Sequence, residues 1–117
     1  MESSENYLRA VYELTESGDR GTTTSELADH MEVSNASVSE AVQKLEDENL
    51  LCRAPYKGFA LSPMGREKAE KLHKKYEILK DFFQDTLEVD NAEEQADAVE
   101  HSITMETAEK LEELNQN

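Results

Sequence analysis

A chain of 117 residues with 37% hydrophobic side chains and no Trp fills one modest core, or one domain with a small helical extension. With only 4 Gly and 2 Pro it favours helices over a sheet-rich fold. It has no apolar run long enough to span a membrane, an acidic N-terminus unlike a secretory signal, and a lone Cys52 that can close no internal disulfide. Together these point to a cytoplasmic setting. The net charge of −15 argues at first against nucleic acid as a partner, but the charge is unevenly spread.

Residues 1–49 carry 3 Lys/Arg against 12 Asp/Glu, residues 50–80 carry 8 against 3, and residues 81–117 carry 1 against 12. The basic third is where phosphate affinity is expected. The acid excess has two compatible readings. One is a solvated surface, such as that of a protein adapted to high salt; the other is attraction of cations at the C-terminal end.

Along the chain, Glu5 to Glu16 places Tyr7, Leu8, Val11, Tyr12 and Leu14 on one face of a first helix, which Gly18 and Gly21 end. Thr22 to Leu50 then reads as two helices joined by a tight turn. Thr23 and Glu26 have capping-box spacing, and Leu27, Ala28 and Met31 give the short first helix an apolar face. Glu32-Val33-Ser34 breaks it. Ser34 caps the next helix, where Val38, Val42 and Leu45 recur with Ala41 beside them. Asn35, Ser37, Ser39 and Glu40 stand at its exposed start as small polar groups able to approach a surface closely. This is the form of a helix-turn-helix, whose second helix enters the DNA major groove.

Leu50-Leu51 starts an extended segment, Ala54-Pro55-Tyr56-Lys57-Gly58 turns it, and Phe59-Ala60-Leu61 returns. A hairpin here is a wing, with Tyr56 and Lys57 at its tip for phosphate. Ser62-Pro63 reads as N-cap and first helical residue of a long helix to about Leu87, with Ala69, Leu72, Tyr76, Leu79 and Phe83 on one face. Asp90 and Glu93 have capping spacing for a helix to about Ser102. Thr104 caps a last helix to about Leu114, and Asn115-Gln116-Asn117 is expected to fray. A narrow apolar stripe through Ala92, Ala96, Val99, Ile103, Leu111 and Leu114 suggests a seam between subunits.

Asp97, Glu100 and His101 stand at i, i+3 and i+4 on one helical face, with Glu93 a turn earlier. Carboxylate with imidazole suits Mn, Fe(II), Co, Ni or Zn. The same residues also read as an exposed ion pair among abundant acids. His30 is read as structural, His73 as surface or interface, and Cys52 as a small buried residue. No nucleophile–base pairing and no phosphate loop are visible, so an enzyme and a small-molecule substrate are not expected.

Taken in order, helix, helix-turn-helix, wing, long helix and acidic His-bearing helix resemble the N-terminal layout of the DtxR/MntR family of metal-dependent repressors, over nearly the whole chain. The resemblance rests on Asn6 to Leu14, on Thr24 to Leu50 with Ala36-Ser37-Val38-Ser39 and Gln43-Lys44-Leu45, on Tyr56-Lys57-Gly58, on Leu61-Ser62-Pro63-Met64-Gly65-Arg66 and on Glu100-His101. It implies a winged-helix homodimer that binds palindromic double-stranded DNA operators when loaded with Fe(II) or Mn(II) and represses metal-uptake genes, in a short form without the family's SH3-like domain. It also implies metal ligands at Asp97, Glu100 and His101, joined by Asn6 and Glu93. Departures stand at Asn6, where the family has Asp or Met; at Arg9, where its manganese branch has a carboxylate; at Tyr76, where it has a His; and at Lys80. They imply one mononuclear site of three or four ligands.

The expected fold is therefore mainly α. Residues 1–65 form a winged helix-turn-helix DNA-binding domain, and residues 66–117 form the linking helix and the metal-binding, dimerising region. Asn35, Ser37, Ser39 and Gln43 are expected in the groove, Lys44, Tyr56 and Lys57 on phosphates, and Thr22, Thr23 and Ser25 at the helix start. The rival readings are a metal-independent winged-helix regulator, which Asn6, Arg9 and Tyr76 favour, and a winged helix used for protein contacts, which the acidity around the motif favours.

Overall fold

Side-chain oxygens start most of the helices. In the computed structural model, which describes residues 3–18, 20–54 and 58–116, Ser3 Oγ accepts the Asn6 N–H (3.2 Å) at the head of α1, Ser4–Leu14. Thr23 accepts the Glu26 N–H (3.2 Å) before α2, Thr24–Met31. Ser34 accepts the Ser37 N–H (3.1 Å) before α3, Asn35–Asp47. Ser62 accepts the Gly65 N–H (2.9 Å) at α4, Pro63–Asp81, and Thr104 accepts the Thr107 N–H (3.2 Å) at α6, Met105–Gln116. Each oxygen satisfies a backbone donor that the helix itself cannot. The box at Thr23 is half of the expected one, because the Glu26 carboxylate meets the Thr23 hydroxyl (3.4 Å).

The chain divides into two compact units, Met1–Glu70 and Lys71–Asn117. In the first, α1, α2 and α3 pack on one another around Leu8, Val11, Leu27, Val38, Val42 and Leu45, all without significant exposure. These are the residues whose helical spacing marks the buried faces. The α1 helix is shorter than Glu5–Glu16 because Glu16 (φ 53°) and Ser17 (φ 63°) already turn left-handed before Gly18 (φ 86°). Glu32 (φ 58°) ends α2 in the same way, and Asn49 (φ 64°) follows α3.

Strands β1, Leu51–Ala54, and β2, Gly58–Leu61, pair antiparallel with Leu51 opposite Leu61 and Arg53 opposite Phe59. Phe59 is buried. Its backbone makes a further bridge to Thr22, accepting the Thr22 N–H at 2.8 Å and donating to Thr22 O at 2.9 Å. Gly58 (φ 84°) permits this approach, since a Cβ there would lie 2.3 Å from Thr22 O. Cys52 is exposed on β1, not buried as expected, because the period-2 alternation of the strand turns Leu51 inward and Cys52 outward.

In the second unit the helical pattern is less regular. The helix continues past Asp81 as a π-helical segment, Phe82–Thr86, and Leu87 N–H donates to Phe82 O (3.1 Å). Both α5, Ala92–Val99, and α6 pack on this segment. Asn91, not Asp90, precedes α5, and its side chain caps nothing; its Oδ1 accepts Gln95 Nε2 (2.6 Å). The α5 helix ends at Val99, and a 3₁₀ turn carries Glu100–Ser102. Lys75 Nζ donates to Ile103 O (2.9 Å), tying α4 to the start of the last connection. The α6 helix runs to Gln116, past the expected end near Leu114, with Asn115 Oδ1 accepting the Thr86 hydroxyl, and Asn117 lies outside the described residues. Among the described residues no helix is long and apolar enough to cross a membrane.

Candidate nucleic-acid interface and metal centre

The presented face of α3 follows from which residues it buries. With Val38, Ala41, Val42 and Leu45 turned inward, Asn35, Ser39, Gln43 and Lys44 are exposed on the opposite side. Ser37 is half-buried at the first turn, where its Oγ accepts the Ser34 hydroxyl (3.0 Å). Gln43 Nε2 donates to Asp47 Oδ1 (3.1 Å). Ser25 is exposed at the start of α2. Thr23 commits its oxygen to the cap, and Thr22 is buried with both backbone groups held by Phe59. Tyr56 and Lys57 lie outside the described residues.

Sequence reasoning missed the clasp that fixes the wing to α3 and α4. Ser62 Oγ donates to Asn49 O (2.7 Å) while accepting the Gly65 N–H, and Ser62 N–H donates to Leu50 O (3.0 Å). A Cβ at Gly65 would lie 1.9 Å from Leu50 O, so the last residue before β1 presses directly on the first turn of α4. Arg53 Nη2 meets Glu46 Oε1 at 2.9 Å, joining β1 to α3. The Ser-Pro-x-Gly pattern signalled the cap; the approach of Leu50 could not be read from it, because the contact is with a backbone oxygen.

In the second unit, Glu100 has no exposed surface and His101 Nε2 lies 3.7 Å from its Oε1. Asp97 is half-buried on α5, and Glu93 is exposed at its start. The i, i+3, i+4 register is altered because Glu100 and His101 sit on the 3₁₀ turn, beyond the end of α5. Among the described residues no three His, Cys, Asp or Glu side chains gather closely enough to hold a metal ion. What the structure brings together is a pair, a buried carboxylate beside an imidazole, and that donor chemistry fits Mn(II) or Fe(II). On α4, Lys80 is a firmly held cation. Its hydrogen bond to Glu77 (3.0 Å) pushes its pKa above the ordinary lysine value, and its Nζ lies 5.9 Å from the Tyr76 ring centroid. In the first unit, Asn6 and Arg9 are both buried on α1, with Arg9 Nε 3.6 Å from Glu13.

Residues 1–59 match the family described as "Iron dependent repressor, N-terminal DNA binding domain", and residues 62–117 match "Iron dependent repressor, metal binding and dimerisation domain". An HTH-type transcriptional regulator of Methanocaldococcus jannaschii is 30% identical over 112 residues, covering 94% of this chain and 90% of its own length. The HTH-type transcriptional regulator MntR of Shouchella clausii is 30% identical over 117 residues, covering 97% of this chain and 80% of that one. The solved structure of the manganese regulator SloR superposes with a TM-score of 0.86 at 29% identity, covering 99% of this chain. This chain spans 54% of the length of that structure.

Proposed function

Because the chain belongs to the iron dependent repressor family, we propose that it is a cytoplasmic, metal-responsive transcriptional regulator that binds a palindromic operator in double-stranded DNA as a homodimer. The observation that carries this reading is α3: a capped helix with its apolar side buried and a row of small polar side chains exposed. In this reading residues 1–65 are the DNA-binding domain, and residues 66–117 link, dimerise and take the metal. Asn35, Ser37, Ser39 and Gln43 enter the groove, and Lys44, Tyr56 and Lys57 contact phosphates. Thr23 and Ser25 lie at the α2 start, where a helix N-terminus favours a phosphate.

Glu100 and His101 would hold the ion, with Asp97 and Glu93 as further oxygen donors. A divalent cation bound there supplies positive charge to a buried carboxylate. Glu100, already without exposed surface, needs no desolvation at the moment of binding, while His101 must be neutral to donate, so affinity falls as pH drops. The metal acts by favouring one spacing of two reading heads, which must lie roughly 34 Å apart. Catalysis is no part of this reading.

The test is DNA binding by the full chain with Mn(II) or Fe(II) and with a chelator. Affinity is expected to fall at least about tenfold on chelation, a coupling in the usual allosteric range. Equal affinity in both conditions overturns the metal switch and leaves a metal-independent regulator.

A further inference from the structure

The two helices of the proposed DNA-binding motif are themselves acidic. Along α2 and α3, Glu26, Asp29, Glu32, Glu40, Asp47 and Glu48 are exposed, against Lys44 as the exposed Lys/Arg. The first unit as a whole, residues 1–70, carries seven Lys/Arg against fourteen Asp/Glu. Several cations of this unit are themselves set against acids, Arg9 beside Glu13 and Arg20 beside Glu16. Arg53 is held at 2.9 Å by Glu46, and Arg66 and Lys68 alternate with Glu67 and Glu70. An ordinary DNA-binding face releases cations from the phosphates as its own Lys and Arg replace them, so salt weakens it. A face whose carboxylates outnumber its ammonium and guanidinium groups must instead keep cations, or gain them, when it is brought against phosphate.

We propose that this chain docks on DNA with no net release of cations, so that rising salt holds or strengthens binding. The proposal rests on the DNA-binding reading above and adds its salt dependence. Two physical effects act in the same direction. Monovalent cations taken up between carboxylate and phosphate enter the binding equilibrium as reactants. As salt rises from about 0.1 M to about 1 M, the Debye length falls from about 10 Å to about 3 Å, which removes the repulsion of every acid not in direct contact.

The experiment is fluorescence anisotropy with the full chain and a labelled duplex selected by that chain from random-sequence DNA at about 1 M KCl with MnCl2 present. The titration is repeated from about 0.1 M to about 1 M KCl at fixed Mn(II), over which the Debye length shortens as above. Circular dichroism at each salt separates docking from folding. The expected result is affinity that is flat or rises across the series. The variant Asp29→Asn/Glu40→Gln/Glu48→Gln should shift the slope of log K against log[KCl] downward by about two, somewhat less than one unit per carboxylate. The matched variant Glu106→Gln/Glu109→Gln/Glu113→Gln changes the net charge equally on exposed sites of α6 and should keep the original slope. An affinity that drops tenfold or more across the series overturns the proposal. So does an equal slope change in the two variants, which would assign the effect to net charge and not to this face. Recovery of no duplex by a folded chain overturns the DNA-binding reading itself and is thereby distinguished from failure of the salt dependence alone.

Discussion

The two units hold their helices in place by different means. In the first, side-chain caps start every α-helix, large residues such as Leu8, Leu27, Leu45 and Phe59 fill the interior, and two glycines let backbones touch. In the second, α5 and α6 bury only alanines and α5 lacks a cap. One long helix loosens into a π segment, and the fully buried groups include a carboxylate, Glu100. Leu87 and Leu114 stay more than half exposed there. Among its described residues the second unit buries large side chains where α4 supplies them, at Leu72, Ile78 and Leu79, while its alanine contacts on α5 and α6 and its exposed leucines suit completion by a second copy, as its match to a metal binding and dimerisation domain implies.

The sharpest way to break this comparison is Gly65→Ala. If the first unit depends on the contact between Leu50 O and α4, the substitution should cost about 4 kcal/mol or more in urea unfolding, because the obstacle is backbone and cannot rotate aside. A loss below about 1 kcal/mol, the range of an ordinary Gly-to-Ala exchange, would show that the clasp yields. Next in size is a matched pair of truncations. Leu45→Ala should cost about 3 kcal/mol, while Leu114→Ala should leave the stability of the monomer within about 0.5 kcal/mol. Sedimentation should show Leu114→Ala weakening self-association instead. Similar losses in chemical unfolding for both would erase the contrast between the units. The smallest effect is expected from Lys80→Met, about 0.4 kcal/mol for an i, i+3 pair. Because the Lys80 pKa is raised in the folded chain, the contribution is complete below 10.5 and is lost as pH climbs through the folded value. Thermal unfolding at about pH 8 and above about pH 11, where most unperturbed lysines are neutral, should therefore differ for the wild type more than for the variant.

The first unit was the more legible because its signals are local. Thr23–Glu26, Ser34–Ser37 and Ser62–Gly65 are all three residues apart, and Val38, Val42 and Leu45 repeat at the helical period. What stayed hidden there is non-local and carried by backbone: Thr22 on Phe59, and Leu50 on Gly65. The exposure of Cys52 was a question of phase along a short strand. In the second unit the residues were legible and the geometry was not. The spacing of Asp97, Glu100 and His101 presumes an unbroken α-helix, and the change to a 3₁₀ turn at Glu100 has no sequence marker. The start of α5 was misplaced by one residue because Asp90 and Asn91 offer equally plausible oxygens.

The bridge between Thr22 and Phe59 has a consequence beyond positioning. A two-stranded ribbon offers open backbone on both sides, and each side is a template on which another chain can add a strand and begin an aggregate. Thr22 occupies the β2 side at Phe59, the most apolar point of the ribbon. A protein whose proposed work requires it to meet copies of itself thereby has one such template closed at Phe59.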